Sequence, residues 1–267
     1  PPRSTLFPYT TLFRSGMLDN GRPEDALSLI EQMIKRLPDD PDLLFYRGDA
    51  LAECGNLQEA ISSYIRGLEL QPDDPDALTT LGDLFLEAGR PDEALQSYRR
   101  VHRMDPSDPD TLVSIGIVLN TMENCDEALA SFRFALEMEP ENLFAWNAIG
   151  DCLYGKGEYE GAMEAYRKCI EIAPDDPAAY QNLGELLYDL EEFDQAEENC
   201  LAAIRISPEH CMSYLTLGGI CMDSERIPEA IKYYSLYLKH EKSPLAKEMV
   251  EEVKAVIEGL KAEIQGK

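Results

Sequence analysis

The sequence predicts an all-α chain assembled from tandem helical hairpins, and three series of residues carry that expectation. Gly48, Gly82, Gly116, Gly150, Gly184 and Gly218 return every 34 residues without an insertion. Ala26, Ala60, Ala94, Ala128, Ala162, Ala196 and Ala230 keep the same step. Pro38, Pro72, Pro106, Pro140, Pro174 and Pro208 fall twelve residues after each alanine but the last. A bulky residue, Ile30, Tyr64, Tyr98, Phe132, Tyr166, Cys200 or Tyr234, stands four after each alanine. A fixed period of this length marks an elongated array in which each unit packs only against its neighbours.

Each unit reads as two helices and a turn. In the unit from Leu143 to Asp176, Trp146, Ile149, Gly150 and Leu153 lie at i, i+3, i+4 and i+7, one face of a first helix. Ala162, Tyr166 and Cys169 do the same for a second. Gly155 and Gly157 break the chain between them, as Gly55 and Gly89 do in their own units. Asp40-Pro41, Asp74-Pro75, Asp108-Pro109 and Asp176-Pro177 place a capping carboxylate before a proline at the first helical position, where no amide donor is lost. A glycine inside a helix costs about 1 kcal/mol relative to alanine. The repeated glycines are therefore expected to mark close helix contacts, with the bulky series filling the gap between adjacent hairpins.

The ends depart from the pattern. Tyr237 replaces the small residue found at Ala135, Cys169 and Ala203, and Lys242 stands where proline is expected. Residues 244–265 place Leu245, Met249, Val253, Ile257, Leu260 and Ile264 on one stripe, which predicts an amphipathic helix covering the last hairpin. Arg47 takes a position that is aliphatic at Leu81 and Ile149, so the N-terminal edge is expected to be exposed or poorly packed. Residues 5–15, TLFPYTTLFRS, carry no acidic residue and no helical period, whereas everything after Met17 is acidic and periodic. That string resembles the translation of a sequencing-library adapter. Residues 1–15 are accordingly read as non-native, with the natural start missing.

Composition narrows the partners. Against 24 basic residues stand 51 acidic ones, a net charge of -27 that repels nucleic-acid phosphates and acidic membrane surfaces. No apolar run approaches the ~18 residues of a membrane-spanning helix. The seven cysteines are odd in number and form no C-x-x-C pair, which suits neither a disulfide framework nor a zinc site and points to a cytoplasmic setting. Gly155, Gly157 and Gly161 superficially suggest a phosphate loop, but their spacing is G-x-G-x-x-x-G and no strand precedes them. His102, His210 and His240 lie near helix ends in different units and are read as surface residues. Cys152, Cys169, Cys200 and Cys221 fall at core positions, with Cys200 and Cys221 able to approach across adjacent units. Runs such as Glu191-Glu192 and Glu197-Glu198 read as solvated faces. No catalytic residue, metal site or cofactor is expected.

The glycine, alanine, proline and bulky series, with Trp146, Tyr180 or leucine shortly before each glycine, are similar to the tetratricopeptide repeat, or TPR. The resemblance implies a right-handed superhelical α-solenoid of helix-turn-helix repeats with a C-terminal cap. Its units would be a partial repeat at 16–40 and repeats at 41–74, 75–108, 109–142, 143–176, 177–210 and 211–244, followed by a capping helix at 245–267. It also implies a concave surface lined by the first helix of each unit. Phe45, Asp49 and Ala52, then Asn147, Asp151 and Tyr154, then Gln181, Glu185 and Tyr188 share one face about 100° from the packed stripe. With Asp83 and Asn120, they make the candidate peptide-binding set.

Some relatives grip an acidic C-terminus with Lys, Arg and Asn. Asn147 and Asn182 are in reach, but Asp42, Phe45, Asp76, Thr79, Asp110 and Val113 stand where the other clamp residues would be. The expected guest is thus a neutral or basic protein segment anchored by Tyr154 and Tyr188; alternatively the carboxylates serve helix starts and solubility. The expected function is a non-catalytic protein-interaction scaffold of undetermined oligomeric state, without nucleic acid or membrane insertion. The alternative is the repeat segment of a larger glycosyltransferase or methyltransferase.

Overall fold

The computed structural model describes residues 23–266. The adapter-like string and the start of the partial first repeat lie outside the described residues. The chain divides into two compact units between Met138 and Glu139. In the first, α1 (Pro23–Ile34) is followed by three hairpins: α2 (Pro41–Glu53) with α3 (Leu57–Leu70), α4 (Pro75–Glu87) with α5 (Pro91–Met104), and α6 (Pro109–Thr121) with α7 (Cys125–Met138). In the second, α8 (Leu143–Gly155) pairs with α9 (Tyr159–Ile172), α10 (Pro177–Asp189) with α11 (Phe193–Ile206), and α12 (Cys211–Asp223) with α13 (Ile227–His240). A short 3-10 turn, Pro244–Ala246, leads to α14 (Lys247–Gly266). Among the described residues every regular element is helical, and within each unit each helix packs on the next.

Local chemistry sets the helix starts. Asp40, Asp74, Asp108 and Asp176 accept hydrogen bonds from the first free amides of α2, α4, α6 and α10, and a proline follows each at the first helical position. Before α8 the cap is Asn142, buried, accepting from the Ala145 amide at 2.9 Å and donating to Glu139 at 2.7 Å. In the second unit the proline carbonyls acquire a further task. Trp146 Nε1 donates to Pro140 O at 2.9 Å, Tyr180 Oη to Pro174 O at 3.3 Å and Tyr214 Oη to Pro208 O at 3.0 Å.

One turn position takes a left-handed backbone in six hairpins. Gly55, Gly89 and Gly157 occupy it with φ of 76°, 68° and 75°, and Glu123, Glu191 and Glu225 occupy it with φ of 62°, 61° and 58°. Gly155, expected to share the break, is instead the last residue of α8.

The glycine series has a direct steric cause. A methyl group added at Gly48, Gly82, Gly116, Gly150 or Gly218 would run into the ring of Tyr64, Tyr98, Phe132, Tyr166 or Tyr234, sixteen residues on and in the same hairpin. At Gly184 the obstacle is Cys200 Sγ at 2.7 Å. The bulky series therefore locks each hairpin to itself, rather than filling the gap between adjacent hairpins as expected. Tyr98 and Phe132 are almost wholly buried there.

The ends also differ from expectation. Ala26 and Ile30 are fully buried, so α1 is docked on the first hairpin, while Arg47 beside it stays 26% exposed. At the other end α14 does cover α13, through Val253, Ile257, Leu260 and the half-buried Val250 against Tyr234 and Tyr237. Leu245 is 93% exposed, and Met249 and Ile264 also face solvent. Stepping by four residues drifts about 40° per step, so the longer stripe ran off the buried face.

Candidate functional site

The first helices of the hairpins carry the candidate residues, and each is described within its own unit. In the first unit Phe45 and Asp49 on α2 line a recess with Asp42, Tyr46, Tyr64, Asp74 and Asp76. The Tyr64 hydroxyl donates to Asp49, and Phe45 stacks on Tyr64 with centroids 5.5 Å apart. On α4, Asp83 accepts from the Tyr98 hydroxyl in the same way. Asn120 on α6 lies apart from these contacts and accepts from Cys125 Sγ at 3.4 Å.

The second unit brings more of the set together. Tyr166 donates to Asp151 Oδ1 at 2.8 Å, and Asn147 Nδ2 donates to Asp151 Oδ2 at 3.2 Å. Asn182 Nδ2 donates to Asn147 Oδ1 at 2.8 Å, tying α10 to α8. Gln181, buried, donates to Glu185 at 2.6 Å. The Tyr154 hydroxyl donates to Asp189, and the Tyr188 hydroxyl donates to Asp223 at 2.6 Å, so each ring is held by the end of the next first helix. Tyr188 also fits over Gly219, where an added methyl group would meet its Oη at 2.9 Å.

Asp49, Asp83 and Asp151 accept from core tyrosines, so part of the acidic surface serves the hairpins themselves. Where the ring is Phe132, the matching position on the first helix is Ile117 instead of an aspartate. The protein packed around the Asp151 carboxylate raises its pKa above the usual carboxylate range, against the lowering effect of the Tyr166 hydrogen bond. Burial, aided by the paired aspartates, raises the Tyr154, Tyr166 and Tyr188 hydroxyls well above their ordinary value, keeping them protonated donors.

Other sequence expectations change. Glu197 does not belong to a solvated run: Arg226 grips it through two hydrogen bonds of 2.6 and 3.1 Å. The histidines are half-buried rather than surface groups. His240 stacks on Tyr214 at 5.6 Å, while His210 Nδ1 lies 2.9 Å from Ser213 Oγ. No disulfide joins any of the seven cysteines, and burial pushes Cys169 and Cys200 up to about 12 and Cys221 up to about 11, far from the thiolate form at neutral pH. Among the described residues no group of His, Cys, Asp and Glu could hold a metal ion, and no helix is long and apolar enough to cross a membrane.

Comparison with known proteins agrees with this architecture. Tetratricopeptide-repeat models match residues 18–75, 55–109 and 177–210, and a TPR-repeat model matches residues 150–191. No curated protein matches the sequence. Among solved structures, a tetratricopeptide repeat protein from Parabacteroides merdae is similar with a TM-score of 0.77 at 19% identity, covering 93% of this chain and 96% of that one. The pilF protein of Pseudomonas aeruginosa matches with a TM-score of 0.61 at 20% identity, over 82% of this chain and 98% of its own. YrrB, described as a TPR protein with an unusual peptide-binding site, matches with a TM-score of 0.50 at 23% identity, over 69% and 95%. These likenesses show a shared fold. Together the repeat models span residues 18–109 and 150–210, more than half of the chain, and the chain belongs to the tetratricopeptide-repeat family.

Proposed function

We propose that the chain is a non-catalytic scaffold that holds a neutral or basic segment of another protein on the face of its first helices. One observation carries the reading: α4, α6, α8, α10 and α12 contain not a single lysine or arginine, although they bear Asp83, Asp151, Glu185, Asp189 and Asp223. Most basic residues of these hairpins fall on the second helices, as Arg99, Arg103, Arg133, Arg167 and Arg205 do, and Arg90, Lys156 and Arg226 stand in the turns. Within each unit, first helices that lack cations and carry carboxylates favour a guest with lysine or arginine side chains, and those of the second unit add tyrosine rings. Carboxylates steer such a guest and rings stack on its charged groups.

The recess of the first unit supports the same reading. Its wall combines four carboxylates, Asp42, Asp49, Asp74 and Asp76, with the rings of Phe45, Tyr46 and Tyr64 and includes no cation. A peptide-binding site is named for YrrB, and a peptide guest is the corresponding role here.

The test is a titration of the full chain with a labelled lysine- and arginine-containing peptide and with an acidic C-terminal peptide. The basic peptide is expected to bind and to weaken as salt rises from about 50 to 300 mM. Asp42→Asn with Asp76→Asn should weaken it further. An acidic peptide that binds this face and resists high salt would overturn the reading.

A further inference from the structure

A second groove of the first unit has the opposite electrostatic character. It opens between α1, α2 and α3 and is lined by Ile34, Lys35, Leu44, Arg47, Ser63 and Arg66, with Glu31 the one carboxylate in its wall. Its wall includes the half-buried Ile34, with Leu44 buried beneath it. Lys35 and Arg66 are exposed, and neither makes an ion pair among the described residues. In a chain of charge -27, three cations converging on one groove form a local exception.

Arg47 is the unusual member. In five other hairpins its position holds Leu81, Ile115, Ile149, Leu183 or Leu217, each 6% exposed or less. Its guanidinium donates to Ser63 Oγ at 2.5 Å but meets Glu59 only at 3.5 Å and Glu31 only at 4.0 Å. Charge-assisted pairs normally close to about 2.7–2.9 Å. The guanidinium thus has hydrogen-bonding capacity that these two carboxylates use poorly, and its side chain remains 26% exposed.

We propose that this groove binds an acidic segment of a partner protein, with an aliphatic side chain seated on Ile34 and flanking carboxylates on Arg47, Lys35 and Arg66. Charge complementarity selects the occupant. A short acidic segment fits better than a second copy meeting it groove to groove, because that copy would bring the same three cations. At physiological salt the screening length is about 8 Å, so the three cations, set against the nearby Glu31 and Glu59, govern what settles there and the distant carboxylates do not. This site is separate from the first-helix face and takes a ligand of opposite charge.

The experiment is fluorescence anisotropy on the full chain at about 150 mM salt, with a labelled pentapeptide of aspartate and glutamate around a central leucine. Saturable binding is expected. Lys35→Glu with Arg66→Glu should weaken it about tenfold or more, a loss of roughly 1.4 kcal/mol per tenfold step. Lys232→Glu with Lys261→Glu makes the same charge change elsewhere and should leave the affinity unaltered. Arg47→Leu restores the residue type of the other hairpins; it should keep or raise the melting temperature while weakening the peptide, which separates a lost site from a lost fold. The proposal is overturned by an absence of saturation up to about 1 mM peptide, or by equal affinity in wild type and Lys35→Glu/Arg66→Glu. Sedimentation showing a wild-type dimer that this double variant dissolves would likewise overturn it, assigning the groove to a second copy.

Discussion

Tyr166 crosses from α9 to α8, lays its ring over Gly150 and donates its hydroxyl proton to Asp151 at 2.8 Å. The same crossing joins Tyr64 to Asp49 and Tyr98 to Asp83. In the hairpin of α6 and α7 both polar partners are absent, with Phe132 over Gly116 and Ile117 in place of the aspartate. In these four hairpins hydroxyl and carboxylate are present or absent together, as suits a part-buried hydrogen bond whose groups would each be left short of a partner alone, whereas Cys200 stands opposite Glu185 and Tyr234 opposite Gly219 in the last two.

A double-mutant cycle measures this pairing. Tyr166→Phe and Asp151→Ile should each destabilise the protein by about 1–3 kcal/mol, because each leaves the other polar group short of a partner. The double variant reproduces Phe132 with Ile117. It should recover part of the loss, giving a coupling energy of about 1–2 kcal/mol in urea denaturation. Strictly additive costs would show that the hydrogen bond contributes nothing to the hairpin.

Gly150→Leu addresses the steric half of the same contact. Tyr166 is 2% exposed and has little room to swing away, so overpacking should cost about 1–3 kcal/mol, read as a lower melting temperature. An unchanged melting temperature would contradict the ring-on-glycine register.

Glu123, Glu191 and Glu225 hold a left-handed backbone at a turn where three other hairpins use glycine. That conformation costs an L-residue roughly 1–2 kcal/mol. Replacing each glutamate with glycine should therefore stabilise by about 0.5–1 kcal/mol after the entropy glycine gains in the unfolded chain is subtracted. Thermal melts of the three single variants check this, and a fall in all three would remove the strain argument.

Stability should decline in alkali. In the folded state burial holds the Cys169 and Cys200 thiols at about 12 and raises the Tyr98 and Tyr166 hydroxyls well above 10, while in the unfolded chain these groups ionise near 9 and 10. Above pH 9 the native state therefore binds more protons than the unfolded one. The stabilisation is complete below that pH and is lost progressively as pH rises through the folded values. Urea midpoints at pH 7.5, 9.5 and 10.5 should fall in that order. Tyr98→Phe should flatten the upper part of the decline.

Much of the fold was legible because the signals were local or strictly periodic. Asp40-Pro41 and its counterparts announce helix starts within a few residues, and a fixed step brings out small residues at contacts. The candidate face was only half legible. A rotation of about 100° places Asp49, Asp83 and Asp151 on the open side of their helices, but it does not reveal that a tyrosine fifteen residues later reaches each of them. The pairing of Tyr188 with Asp223 crosses 35 residues and needs Gly219 beside it, a contact no helical period encodes. The cap was misjudged by angle: Leu245, Met249 and Ile264 belong to the i+4 ladder, whereas the buried set is Val253, Ile257 and Leu260 with Val250 at its edge.

In the second unit, the side chains proposed to meet a guest are also the fasteners between consecutive hairpins. Tyr154 on Asp189, Tyr188 on Asp223 and Asn182 on Asn147 are seams as well as surface. A ligand that accepts from those hydroxyls must undo a stitch before it gains a bond, whereas one that stacks on the rings and leaves the stitches closed makes the unit stiffer. Ligand chemistry and the cohesion of neighbouring hairpins are thereby coupled through the same three contacts.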